Sequence, residues 1–468
     1  MSDPDPVLLW FRRDLRLHDN PALQAAAADG RPVLAVFVAD DALLEPSGAA
    51  RRHFLAGSLR ALDESLGGSL FIAHGKPWTV LPRLAAAVGA TEVHHAADAM
   101  PYGRRRDEGV EQALAGHDVT TVVTGSPYAV TPGRVTKNDG APFSVFTPFY
   151  RAWKHHGWRA PAGPPGTVSW IDPADASSTS LRRWTADLLD AEVPGSLQLP
   201  EPGEDAARAH WTDFLDEGLA DYDEHRNRPD LPGTSRMSAY LKWGAVHPRT
   251  LLADLARRRG DGAERYRSEL AWREFYADVV HRAPRSARWS LDPVIDGMQW
   301  DSGAEADAHL QAWQQGRTGF PFVDAGMRQL LGEGWMHNRV RMVVASFLIK
   351  DLHLPWQPGA RHFLQHLVDG DLSSNNHGWQ WVAGSGSASA AFYRVFNPIT
   401  QGEKFDPSGD YVRRWVPELR DVPGKAVHQP WLLADGIPAG YPEPIVDHKA
   451  EREEALRRFA ARPSAASG

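Results

Sequence analysis

Two hydrophobic periods divide this chain, and they demand different architectures. From Val7 to about Val130, short apolar runs (VLLWF, PVLAVFVAD, SLFIAHG, TEVHHAAD, VTTVVTG) alternate with Ala- and Leu-rich stretches such as NPALQAAAADG and RRHFLAGSLRALDESL. That is the βαβ pattern of a parallel, doubly wound sheet. Between about Lys154 and Glu204 the composition turns to Pro, Gly and Ser, as in APAGPPGTVSWIDPADASSTS, which reads as a connector without a regular helix. Beyond Asp205 strand signals nearly vanish. Apolar positions there recur at helical spacing in AARAHWTDFLDEGL, RTLLADLARRRG, YRSELAWREFYADVV and VRMVVASFLIKDL. The fold class is therefore an α/β doubly wound domain over residues 1–135, a linker over 136–204 and an all-α domain over 205–468. A chain of 468 residues is long enough for two cores.

Exclusions narrow the chemistry. The chain has no Cys, so disulfides and thiolate metal sites are ruled out, and its His residues lack HExxH or similar spacing. No metal is expected, and difficult chemistry has to come from an organic cofactor. No GxGxxG or GxxxxGK[ST] follows a strand, so neither a dinucleotide fingerprint nor a phosphate loop is present. The start, MSDPDPVLLWF, lacks a basic stretch before its apolar run, and no apolar stretch reaches the roughly 18 residues of a spanning helix. A cytoplasmic, monomeric protein without a membrane partner is expected. The net charge of −8 argues against a uniformly basic surface but not against local patches. Arg328, Arg339, Arg341 and Lys350 face only Glu333 in one run, and Arg226, Arg228, Arg236 and Lys242 crowd another. Solvated helix faces give the same pattern.

Tryptophan is the compositional outlier, with 18 residues, 12 of them from Trp211 onward. Most large aromatics at helical spacing are packing. The segment DGDLSSNNHGWQW, Asp369 to Trp381, is different, because it joins two aspartates, two asparagines and two indoles. Neither a solvated loop nor a packed core needs that mixture, so it reads as the lining of a polar aromatic ligand. In TSRMSAYL, Thr234, Ser235 and Ser238 precede a helical stretch and offer hydroxyls and free N–H groups to a diphosphate, although an ordinary helix cap explains the same pattern. In ELAWREFY, helical spacing puts Glu269, Trp272 and Tyr276 on one face, and an ion pair of Glu269 with Arg273 is the plain alternative. The same spacing groups Asn338 with Arg341 and Met342.

FRRDLRLHDNPAL, ELAWREFY, GWMHNRVRM, DGDLSSNNHGWQW and FNPITQGEKFD occur in this order, and with them the sequence resembles the photolyase/cryptochrome family, within it the bacterial-type (class I) cyclobutane pyrimidine dimer photolyases. The resemblance spans nearly the whole chain. It implies an antenna-chromophore domain at 1–135 and a helical domain that holds FAD beneath a hole for DNA. It further implies FAD contacts from Tyr222, Thr234, Ser235, Arg236, Met237, Ser238, Tyr266, Arg341, Asp369, Gly370, Asp371 and Asn375, the last facing the flavin N5. A neutral amide at Asn375 suits the fully reduced anion that repair needs, where a carboxylic acid would favour protonation.

By the same resemblance, Glu269, Trp272, Asn338, Met342 and Asn375 are the catalytic set around a flipped dimer. Arg226, Arg273, Tyr276, Arg339 and Gln401 join Glu269, Trp272 and Asn338 in contacting DNA. Trp379, Trp356 and Trp300 match the family's electron relay from flavin to surface, with an unusually long DSGAEADA segment after Trp300. For the antenna, Tyr102-Gly103 stands where folate-binding members tend to carry Asn-Glu. That points to 8-hydroxy-5-deazaflavin rather than methenyltetrahydrofolate, surrounded by Arg51, Asp98, Tyr102, Arg104 and Lys242; sheet-edge charges are the alternative. The implied activity is light-driven repair of pyrimidine dimers in DNA, with a cryptochrome-like signalling flavoprotein as the other reading.

Overall fold

The computed structural model of the chain describes residues 4–176, 181, 183–387 and 393–463. Residues 177–180 and 182 of the expected connector, and the C-terminal residues 464–468, lie outside them. Five strands form one parallel sheet: β1 (Val7–Phe11), β2 (Val33–Ala39), β3 (Leu70–His74), β4 (Glu92–His95) and β5 (Thr120–Val123). Their order is β3-β2-β1-β4-β5. β1 and β2 are buried at every residue, as a strand covered on both faces must be. Alternate residues feed two cores. Val7, Leu9, Phe11, Val33, Ala35 and Phe37 enter one, and Leu8, Trp10, Leu34, Val36 and Val38 the other. The order reverses between β1 and β4, which makes the carboxyl edge there the natural place for a ligand.

Two compact units organise the chain. One comprises Met1–Pro194, Leu199–Ala220 and Ser235–Pro284; the other comprises Gly195–Gln198, Asp221–Thr234 and Arg285–Gly468.

In the sheet-bearing unit, the segment after β5 is more ordered than its composition predicted. Phe146–His156 is an 11-residue helix inside the expected linker. Phe146, Phe149 and Trp153 recur at helical spacing and are buried, with Phe146 and Phe149 against Phe275 on the Asp261–Arg282 helix. Pro173–Ala176 forms a single turn, and the linker's Trp170 and Trp184 make isolated bridges to Val33 and Ile72 of the sheet.

Glu274 explains why the loop and the helix stay together. Its side chain is buried and accepts from the Ala129 and Val130 amides and from the Trp153 indole, the last at 2.6 Å. Burial pushes its pKa up to about 7 against the pull of those three donors. On the same helix Asp278 accepts from the Gly133 amide (2.6 Å) and from Arg282 (2.8 Å).

The second unit is helical. Pro321–Glu333, Asn338–Lys350, Trp356–His366 and Leu372–Ala383 surround a core that includes Trp313, Phe347, Trp356, Phe363 and Trp379. The polar tail forms the helix His448–Ala460, capped by Asp447 onto the Ala450 amide. Among the described residues no helix is long and apolar enough to cross a membrane.

Replacing Glu274 by Gln sets an amide NH2 against three N–H donors, and at least one donor loses its acceptor inside the unit. We expect a loss of about 2 kcal/mol of stability, read as a lowered denaturation midpoint; an unchanged midpoint would show that the carboxylate does not hold the loop.

Candidate functional site

The residues singled out above fall on both units. Ser235, Arg236, Met237, Ser238, Tyr266, Glu269, Trp272, Arg273, Tyr276 and the antenna candidates lie in the sheet-bearing unit, the remainder in the helical one.

In the helical unit the segment from Asp369 separates its two carboxylates by function. Asp371 caps the Leu372–Ala383 helix: its Oδ1 accepts from the Ser374 amide (3.1 Å) and the Ser373 hydroxyl (2.6 Å), which is the helix-capping role such a residue ordinarily fills. Asp369 does not cap. Its Oδ2 accepts from Arg341 at 2.9 Å, and its Oδ1 is buried without a protein donor. A buried carboxylate oxygen is rarely left unmatched, so a ligand N–H or O–H fits there. Arg341 is itself aimed by the Met336 carbonyl at 2.8 Å. Asn375, half-buried, donates from Nδ2 to the Ala360 carbonyl (3.1 Å) and to Asn376 Oδ1 (2.8 Å), which leaves its amide oxygen as the atom to offer a ligand.

Asn338 is exposed and Arg341 and Met342 are half-buried, while Val340, Val343 and Val344 on the same helix are buried. The helical face read from spacing is the outward face. Arg339 leans over the Phe405 ring at 4.4 Å and donates to Asn227 Oδ1 at 2.9 Å. Burial, and then the like charge of Arg226, lowers its pKa. Arg226 lies over the Tyr222 ring at 5.9 Å. Gln401 sits on the Pro398–Phe405 helix with its Oε1 buried and unmatched. Three of the basic residues are otherwise engaged. Lys350 is buried, donating to the Arg394 carbonyl and lying over Tyr393 at 4.3 Å, Arg328 pairs with Glu418 at 2.7 Å, and Arg228 with Asp230 at 2.5 Å. In the first run helical periodicity turns Lys350 inward, and in each run an acidic partner offsets one of the arginines.

The relay candidates differ in environment. Trp379 is buried, its Nε1 without a partner, with Trp313 (6.0 Å, 71°) and Phe363 (5.0 Å, 78°) edge-on to it. Trp356, also buried, donates to the Ser290 hydroxyl at 3.0 Å. Trp300 is half-buried and packs against both the large core and a small one formed by Ile295, Met298, Tyr393 and Ala455.

In the sheet-bearing unit, Glu269, Trp272 and Tyr276 are half-buried on one side of their helix, with Leu270, Ala271, Glu274 and Phe275 on the buried side. Trp272 stacks on Phe146, centroids 3.6 Å apart and planes 8° apart, so one face of its indole is already covered. Sequence reasoning missed Phe146, which lies 126 positions away and follows no local pattern. Arg273 spends its guanidinium on the Pro127 (2.9 Å) and Leu241 (3.2 Å) carbonyls and on the Tyr128 ring. Ser235 shares a hydrogen bond with the Tyr266 hydroxyl at 2.8 Å. The helix Ser238–Trp243 has no side-chain cap, so the Thr/Ser run is not explained as an ordinary helix cap; Arg236 stands in the left-handed region at φ 48°.

At the carboxyl edge of the sheet, Arg12 pairs with Asp107 (2.6 Å) and meets His95 Nδ1 (2.9 Å); Arg12 and Arg106 both lie over Trp10. Desolvation holds the His95 pKa at about 3, so the ring is neutral. Tyr102 donates to Asp40, Asp98 accepts from Arg106 (3.3 Å), Arg51 donates to the Pro46 carbonyl (3.0 Å), and Arg104 reaches the His281 carbonyl (3.5 Å). Lys242 lies over Trp243 at 5.4 Å. Gly103 is required, since a Cβ there would fall 2.2 Å from the Asp98 carboxylate.

A parallel α/β sheet with a charged carboxyl edge, together with a helical unit in which one buried aspartate oxygen has no donor among the described residues, is the architecture of a two-unit ligand-binding protein. Residues 7–166 match the family model for DNA photolyase, and residues 266–461 that for the FAD binding domain of DNA photolyase. The chain is 43% identical over 457 residues to a deoxyribodipyrimidine photo-lyase of Streptomyces griseus, covering 94% of this chain and 96% of the relative. Against the crystal structure of a bacterial class III photolyase from Agrobacterium tumefaciens the TM-score is 0.90 at 37% identity, with 98% of both chains covered. A Synechocystis cryptochrome superposes with a TM-score of 0.88 at 28% identity, covering 98% of this chain and 100% of that one. The chain belongs to the photolyase/cryptochrome family.

Gly359 is the position that lets Trp379 into its place, because a Cβ there would lie 2.2 Å from Trp379 Cη2 and 2.6 Å from Leu348 Cδ2. Gly359→Ala should displace the indole and cost about 1–3 kcal/mol by overpacking. Thermal denaturation together with near-ultraviolet circular dichroism reads both effects, and a variant identical to the parent in both would remove this account of Gly359.

Proposed function

We propose that this chain repairs cyclobutane pyrimidine dimers in DNA, as a deoxyribodipyrimidine photo-lyase driven by light. FAD, bound and fully reduced, supplies on excitation the electron that splits the dimer. The observation that carries the reading is Asp369: a buried carboxylate, held by Arg341 on one oxygen and open on the other, within the stretch that matches an FAD binding domain. Within the family we read the chain as a bacterial-type class I enzyme, working as a cytoplasmic monomer. Its segments 1–135, 136–204 and 205–468 would serve as antenna domain, linker and catalytic domain.

The chain's own groups then take distinct tasks. Asp369, Gly370, Asp371 and Arg341 hold the polar edge of the cofactor, and Tyr222, Thr234, Ser235, Arg236, Met237, Ser238 and Tyr266 its remaining length. The Asn375 amide oxygen would face N5, and the side chain has no acidic proton to give there. Trp272 offers its one free face to a flipped base, since Phe146 occupies the other. Glu269 accepts hydrogen bonds from the dimer and stabilises charge developing on its carbonyls. Asn338 and Met342 border the lesion from the outward helical face. Arg226 and Arg339 repel each other in the free protein, and a phosphate between them relieves that repulsion. Gln401 and Tyr276 complete the DNA contact, and Trp300, Trp356 and Trp379 carry electrons inward to activate the cofactor. For the antenna we infer a deazaflavin held by Arg51, Asp98, Tyr102, Arg104 and Lys242; the absorption spectrum of extracted cofactors separates it from a folate.

A repair assay on dimer-containing DNA with and without blue light tests the activity directly, and binding without dimer loss under light would favour a signalling flavoprotein instead. Within that assay, Glu269→Gln keeps shape but removes charge. We expect repair per absorbed photon to fall severalfold, roughly 1 kcal/mol, with FAD content unchanged, and Glu269→Ala to lose more. Equal yields for all three would take Glu269 out of the chemistry. Arg339→Ala should weaken damaged and undamaged DNA alike and lower the salt slope by about one, whereas Trp272→Ala should weaken damaged DNA preferentially. Loss of the same factor on both DNAs by both variants would refute this division.

A further inference from the structure

The two inner tryptophans of the relay differ in what their N–H groups meet. Trp379 Nε1 is buried with no acceptor among the described residues, and its neighbours Trp313 and Phe363 are aromatic. Trp356 Nε1 donates to Ser290 Oγ at 3.0 Å, and Ser290 in turn donates from Oγ to Asp296 Oδ1 at 2.6 Å. The Ser290 amide takes the other carboxylate oxygen at 3.1 Å. Both Ser290 groups point at the carboxylate, so the hydroxyl's lone pairs are turned toward the indole.

The pair is rigidly mounted. Gln380, fully buried and one residue from Trp379, accepts from the Leu291 amide and donates to the Ser286 carbonyl, each at 2.8 Å. Asn376 donates to the Ala287 carbonyl at 2.6 Å. The loop that carries Ser290 is thus stitched to the helix that carries Trp379. Such second-layer bonding keeps a functional hydrogen bond in place.

We propose that Ser290 and Asp296 are positioning residues for electron supply, which lower the energy of an oxidised Trp356 relative to an oxidised Trp379. The inference rests on the relay reading above. Trp379 loses one electron to the photo-excited oxidised flavin, and Trp356 then gives one electron to Trp379. The positive charge so transferred leaves an indole whose N–H has no acceptor among the described residues for one whose N–H is bonded, through a hydroxyl, to a carboxylate. A positive charge is costly in the first environment and stabilised in the second. The indole proton stays within the Trp356–Ser290 bond. Trp300 then returns one electron to Trp356, and an external thiol re-reduces Trp300. The gradient between the inner indoles makes the second transfer downhill and slows its reversal.

Ser290→Ala removes the bond, Asp296→Asn removes the charge at constant size, and Ser290→Thr retains the hydroxyl. In the chain without cofactor, the ultraviolet resonance Raman band of the Trp356 indole N–H, isolated by difference from Trp356→Phe, should report a bonded indole in the parent and an unbonded one in Ser290→Ala. In the FAD-loaded protein with thiol, photoreduction per absorbed photon should fall roughly tenfold in Ser290→Ala and in Asp296→Asn, and recover in Ser290→Thr. Should Trp356→Phe photoreduce like the parent, the relay reading itself fails. If Trp356→Phe blocks photoreduction while Ser290→Ala and Asp296→Asn match the parent, or if the Raman band does not move in Ser290→Ala, this proposal is overturned. Asp296→Asn and Ser290→Thr keep the test open even where Ser290→Ala folds poorly.

Discussion

A buried carboxylate must be matched, and the pairing of Asp369 with Arg341 is the constraint around which the helical unit is arranged. Arg341 comes from the Asn338–Lys350 helix and Asp369 from the turn that leads into the Leu372–Ala383 helix, so one ion pair at 2.9 Å relates two elements that both carry site residues. Removing Arg341 would strand the Asp369 charge away from water, which is far more costly than forming the pair is favourable. Asp371, two residues on, starts the second helix by capping it. The register of that cap determines that Asn375 and Trp379, one helical turn apart, project from the same side.

Polar matching also explains the sheet-bearing unit. Glu274 and Asp278 satisfy amides of the loop that follows β5, and so anchor the helix on which Glu269, Trp272 and Tyr276 stand. Phe146, from the helix in the supposed linker, then settles the plane of Trp272. A residue that reads a base by stacking needs its ring plane determined in advance, since a freely rotating indole loses that freedom on binding. The segment expected as a linker therefore takes part in packing the helix that carries Trp272.

Within the indole set, burial alone does not order the energies. Trp379 and Trp356 are almost equally inaccessible, yet one N–H is bonded and the other is not. Differences of this kind arise from single hydrogen bonds in a medium of low polarisability, where each bond counts for more than it would in water.

The sequence by itself determined the class of fold, because a period of two residues and a period of 3.6 bury different faces and cannot be exchanged. The five apolar runs became β1 to β5, and the shared faces read at Glu269, Trp272, Tyr276 and at Asn338, Arg341, Met342 are the less buried ones. DGDLSSNNHGWQW, read as the lining of a ligand, forms a turn and a helix on which Ser373, Asn376, His377, Trp379 and Gln380 are buried. Other features only the tertiary structure decided: that Asp371 caps while Asp369 pairs with Arg341, that Lys350, Arg328 and Arg228 leave the basic runs for partners of their own, that Phe146 supports Trp272, and that Ser290 joins Trp356 to Asp296. Each of these joins groups by distance and direction in space. Periodicity reports which face of an element a residue occupies, but a hydrogen bond or a stacked ring depends on which element lies opposite, and that is set when the whole chain packs.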